Sequence, residues 1–202
     1  MSALARLGRL WACAALLTGC AGTTEVQRYP AFGERPPVRL VLMPFESGSE
    51  RVPGSACELV TSRVLGELSA SARYQVISPV DVRIALERAG SDPRAAVVRA
   101  FAPDGILRGR VQHFEGRSGP DGVPRGPARV EFSLLLEAAD GTPLWQARYA
   151  EQQRPLSEDL GALARSWSRG FRWVSPERLA ADGARELVSA LDRAESSPAA
   201  AP

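Results

Sequence analysis

The chain contains no lysine and no asparagine. All 25 of its basic residues are arginine, so a phosphate loop of the GxxxxGK(S/T) type, a Schiff-base lysine and a Ser/Lys dyad are excluded. Without asparagine there is no N-glycosylation sequon. Histidine occurs once, as His113, which removes two-histidine zinc sites and facial triads, and neither metal nor cofactor is expected. Long apolar runs are missing too. The most apolar stretch, Leu10 to Leu17, is too short to span a bilayer, which takes roughly 20 residues. The formal charge of +2 falls to about zero if Arg6 and Arg9 are removed with a leader. That balance lacks the basic footprint of a nucleic-acid binder, so no nucleic-acid partner is expected.

The short apolar run has a specific context. Arg6 and Arg9 precede it and Leu17-Thr18-Gly19-Cys20 follow it, in the order of a charged n-region, an apolar core and a lipobox. Residues 1–19 therefore read as a lipoprotein signal peptide. Small side chains at Thr18 and Gly19, after Leu17, admit a signal peptidase to the backbone, and the Cys20 thiol is the nucleophile that takes a diacylglycerol. Membrane lipid, through acylated Cys20, is the first expected partner. With Cys13 removed and Cys20 acylated, Cys57 is the one free thiol and no intrachain disulfide can form. Cys57 falls in a helical pattern and reads as a small buried hydrophobe.

Residues 21–37 show no apolar periodicity and end in Pro36-Pro37. With Cys20 they read as a flexible tether, roughly 20–25 Å in mean span. The Ala/Ser/Pro-rich end, 194–202, reads as a disordered tail. Between them, 38–193 form a single domain in which strand and helix signals alternate. Val38 to Met43 is a strand stopped by Pro44. Ser55 to Ala70 is helical, with Leu59, Val60, Val64, Leu65 and Leu68 in register and Ser55 as cap. Tyr74 to Ile77 is a second strand. A helix capped by Ser78 and another opened by Asp92-Pro93 follow. Residues 104–114, 128–138 and 144–152 then form a strand meander, with Asp140-Gly141 as its second turn. Two helices close the chain, one carrying Leu160, Leu163, Ala164 and Trp167, the other Leu179, Gly183, Leu187 and Leu191. The predicted class is an α/β (α+β) sandwich on a mixed sheet of about five strands, ordered β-α-β-α-β-β-β and followed by carboxyl-terminal helices.

Strand alternation assigns faces in the meander. Leu107, Val111, Val130, Phe132, Leu134, Leu136, Trp145, Ala147 and Tyr149 point inward. Arg108, Arg110 and Glu131 point outward, where they are placed to form a cross-strand charge ladder. These three, with Arg117, Asp121 and Arg125 of the Gly/Pro-rich loop 115–127, are the candidate contacts for a protein partner. A catalytic alternative would use His113 with Glu115, or a carboxylate pair among Glu137, Asp140 and Glu151, but no nucleophile motif accompanies them.

Val41-Leu42-Met43-Pro44-Phe45, Tyr74-Gln75-Val76-Ile77, Asp104 to Val111, and Leu136 through Asp140-Gly141 to Leu144-Trp145 resemble a group of Gram-negative periplasmic lipoprotein domains. The group comprises CsgG, the amino-terminal domain of TolB and the LpoB-type activators of peptidoglycan synthases. The resemblance covers about residues 38–154. It implies an outer-membrane lipoprotein facing the periplasm that docks non-catalytically on a cell-envelope assembly, or alternatively an accessory lipoprotein of a transport or secretion system. Ala21 after Cys20 fits the enterobacterial rule for release to the outer membrane, and inner-membrane retention stays open. A CsgG-type pore is not expected. Loop 115–127 holds one aliphatic residue, Val123, and three prolines, whereas a membrane strand needs about 9–11 residues with an apolar alternation.

Overall fold

A computed structural model of the chain describes residues 23–33, 37–88, 92–116, 123, 125–153 and 174–196. The expected signal peptide, Leu17 to Cys20, the helix expected around 157–167, and Arg117 and Asp121 lie outside the described residues.

The β-rich run after Pro37 forms a short parallel centre. Strand β2 (Arg39–Leu42) lies between β4 (Gln75–Ile77) and β5 (Gly105–Glu115), parallel to both. Strand β3 (Glu46–Ser47) prolongs β2 along β5. Beyond β5, the meander continues antiparallel through β6 (Arg129–Ala138) and β7 (Pro143–Gln152). The predicted sandwich is present, with a seven-stranded mixed sheet in the order β1-β7-β6-β5-β2-β4 and β3 beside β5.

The extra edge strand corrects the tether. Strand β1 (Thr23–Arg28) pairs antiparallel with β7 from Thr23↔Ala150 to Arg28↔Trp145. Pro30–Gly33 then forms a 3-10 turn that buries Phe32 in the core. Two threonines and a valine give the segment strand character. Its faces do not advertise themselves because an edge strand buries little, and the burial of Phe32 depends on residues more than 100 positions away. The carboxyl end is corrected as well, since Ala194 to Ser196 still belong to the last helix.

Helices α1 (Gly54–Ala70) and α4 (Pro176–Ser196) cover one face of the sheet; α2 (Pro79–Glu87) and α3 (Pro93–Phe101) cover the β4–β2–β5 part of the other. In α1, Ser55 is not the cap. Pro53 occupies that position and no side chain caps the end. Ser78 and Asp92 cap α2 and α3 as expected, accepting from the Val80 and Ala95 N–H groups at 3.2 and 3.0 Å. Helix α4 buries Leu179, Gly183, Leu187 and Leu191 on one stripe. Its Gly183 is required by close approach, because a Cβ there would overlap the Tyr149 ring. Gly109 in β5 does the same for Phe45. The layer between α1, α4 and the sheet is filled by fully buried Phe32, Phe132, Trp145 and Tyr149, Phe132 lying 5.6 Å from Tyr149.

Candidate functional site

Alternation in the meander leaves one face of β5, β6, β7 and β1 polar, outside the area that α2 and α3 cover. The inward set is buried as expected. The outward set builds two charge networks. In the first, Arg148 of β7 grips Glu131 of β6 through Nη2 at 2.8 Å and Nε at 3.1 Å, and reaches Glu25 of β1 at 3.3 Å. Arg129 adds a contact to Glu131 at 3.3 Å, and His113 stands 3.9 Å away. A bulge between Val111 and His113 sets His113, in place of Gln112, opposite Glu131. In the second, Arg110 and Arg108 meet Glu46 of β3 at 3.3 and 3.9 Å, and Glu137 receives Arg94 of α3 at 2.8 Å and Arg108 at 3.9 Å.

The expected ladder therefore divides. Arg108 and Arg110 share a network with Glu46, while Glu131 belongs with Arg148. Sequence reasoning found the face but missed Glu25, Glu46, Arg94 and Arg148. Arg148 was legible as the residue between inward Ala147 and Tyr149; the others sit in a segment read as tether, in a loop and on a helix.

Glu131 and Glu137 are the two charged side chains of this face that are nearly buried, each 10% exposed. Burial pushes the Glu131 carboxyl up, but the hydrogen bonds and charge of Arg148, with Arg129, outweigh it and hold it below the usual glutamate value. Both carboxylates thus lie nearly buried beneath half-exposed guanidiniums, whose planar donor forks match the geometry of a carboxylate.

Of the catalytic alternatives, the fold brings His113 and Glu115 together but ties Glu137, Asp140 and Glu151 to separate partners. His113 lies 3.5 Å from Glu115 at the strand end. Glu137 is held by Arg94, Asp140 sits in the turn accepting from the Thr142 N–H at 2.8 Å, and Glu151 at the far end of β7 accepts from the Tyr149 hydroxyl. Burial, with the charge of Glu58, raises the Cys57 thiol above its ordinary value, the environment of an inert thiol. Arg125 is exposed on the part of loop 115–127 that is described. Among the described residues, no cluster of three or more His, Cys, Asp or Glu could hold a metal, and no helix is long and apolar enough to cross a membrane.

Two clefts lie among the helices, away from the polar face. One, of about 590 Å³, opens between α1 and α2 at the carboxyl ends of β2 and β4 and is lined by Phe45, Cys57, Leu65 and Arg83. The other, of about 740 Å³, separates α2 from α3 and is lined by Ile84, Ala96, Arg99 and Phe101.

The architecture has solved counterparts. PelC from Paraburkholderia phytofirmans, crystallised as a dodecamer, superposes with a TM-score of 0.53 at 18% identity, over 85% of this chain and 97% of that one. The chain shares its fold with PelC. A variant of the same dodecamer in a second space group gives a TM-score of 0.53 at 17% identity, over 85% and 98%. Lipoprotein GNA1162 from Neisseria meningitidis matches at a TM-score of 0.45 and 16% identity, over 67% and 98%. No family model and no curated protein matches the sequence. The PelC likeness establishes the fold and leaves membership of the CsgG, TolB or LpoB-type group unassigned.

Proposed function

We propose that the chain is a lipid-anchored, non-catalytic docking module of the cell envelope. Cys20 fixes it to the membrane, on the periplasmic side of the outer membrane, and the polar face of β5–β6–β7–β1 meets a protein partner. One observation carries the reading: the nearly buried Glu131 and Glu137 are each held by two arginines, which makes a rigid patterned surface where an ordinary solvated sheet face would carry mobile side chains. Arg108, Arg110 and Glu131 retain the contact role expected of them, joined by Arg148 and Glu46. Loop residues Arg117, Asp121 and Arg125 remain candidate contacts by sequence.

The test is site-specific photocrosslinking in intact envelopes from positions Arg110 and Gln146. The expected result is one discrete adduct from each position, with the yield from position 146 dropping at least fivefold in Arg110→Glu at unchanged Tm. Absence of adducts from this face, with adducts from the α1/α4 side, would overturn the assignment. A second reading takes the partner to be further copies of the chain, and it is favoured by the dodecameric assembly of PelC. Under that reading the crosslinked adducts are multiples of the chain itself.

A further inference from the structure

The amino-terminal strand changes what the proposed anchor does. Thr23 is already hydrogen-bonded territory of the sheet, its hydroxyl 3.5 Å from the Ala150 carbonyl and the hydroxyl of Thr24 donating to Glu186 of α4 at 2.6 Å. Only Ala21 and Gly22 separate it from Cys20. Three Cα steps reach at most about 11 Å. We propose that one end of the sheet is apposed to the lipid surface, so that the domain stands on the membrane in a fixed orientation. This inference rests on acylation of Cys20.

The register identifies that end. Thr23 lies beside Ala150, Arg129 beside Gln152, and Glu115 beside Arg129. Gln153 caps the same rim, its Oε1 accepting from the Ala128 and Val174 N–H groups, both at 3.2 Å. Gly116 touches Pro176, where α4 starts. The opposite end carries the Asp140-Gly141 turn and, on α4, Asp192 beside Tyr74. Ten residues of β7 separate the ends, roughly 30 Å at 3.3 Å per residue.

The charge on the rim fits a lipid surface approached by tether alone. Among the described residues at this end, Glu115, Arg125, Arg129, Glu151, Glu177 and Arg178 carry the two signs in equal number, so these residues together neither repel nor select anionic lipid. The polar face then stands upright, perpendicular to the bilayer, with both charge networks open to a laterally placed partner.

The experiment uses the full acylated chain in vesicles of phosphatidylethanolamine with 20% phosphatidylglycerol and a headgroup acceptor dye. A donor is attached at Glu177→Cys or at Asp140→Cys, Cys57 being buried. Energy transfer should be strong from position 177 and at least threefold weaker from position 140, and 0.5 M salt should leave the ratio unchanged. Insertion of 15 Gly/Ser residues between Gly22 and Thr23 should bring the two efficiencies together. Equal transfer from both positions in protein that floats with the vesicles and carries lipid by mass spectrometry would overturn the orientation while leaving the anchor intact. A chain that carries no lipid on Cys20 would overturn the anchor and the orientation with it.

Discussion

Arg148 and Glu131 show how a single pair organises the polar face. Removing Arg148 leaves the nearly buried Glu131 to Arg129 alone, so Arg148→Ala should cost about 1–2 kcal/mol after screening of the half-exposed guanidinium, while Arg148→Met with Glu131→Leu should recover most of it. Urea unfolding of the three chains checks this. Because the folded Glu131 value lies below the unfolded one, its contribution is present at neutral pH and is lost as pH falls through and below the ordinary glutamate range. Glu195 has the opposite sign. Burial raises its carboxyl, helped by Asp192 and opposed by Tyr74 and Arg73, and its Oε1 is buried without a partner among the described residues. Its stabilisation therefore belongs to acidic solution and declines as pH rises through the raised value. Glu195→Gln should raise Tm at pH 8, by an amount equivalent to about 1 kcal/mol, and leave it unchanged at pH 4. The buried Trp145 Nε1 likewise has no partner among the described residues. Trp145→Phe should then cost under about 1.5 kcal/mol, well below the usual penalty for shrinking a core aromatic, because the change also deletes an unsatisfied donor.

Elements were legible wherever local chemistry and burial point the same way. Ser78-Pro79 and Asp92-Pro93 begin helices because cap and first-turn proline act within four residues. The meander alternates because one face is core, and its inward set could be read residue by residue. Ser55 misled because a good capping side chain one position past the true start looks the same in sequence. Strand β1 was hidden for a different reason: its pairing partner is β7, and nothing within the segment itself shows an apolar face. Among the site residues, Arg108, Arg110 and Glu131 were legible from alternation, but their partners Glu46 and Arg148 stand on strands whose place beside β5 and β6 is set by the topology of the sheet. At this scale Gly183→Ala is decisive. A methyl group there meets the Tyr149 ring, so α4 must lift from β7, and the expected loss is about 1–3 kcal/mol, read as a lower urea midpoint with an unchanged m-value.

At the scale of the whole molecule, β1 also sets the order in which the fold can close. Its partner residues are about 120 positions away in the chain, Thr23 against Ala150 and Arg28 against Trp145, so β1 waits unpaired until β7 has been made. Until β7 exists, the first strand has no template, and until β1 arrives, β7 is an open edge available to any other extended chain. A nascent intermediate is thus vulnerable at one defined place and for one defined interval. The arrival of β1 seals it.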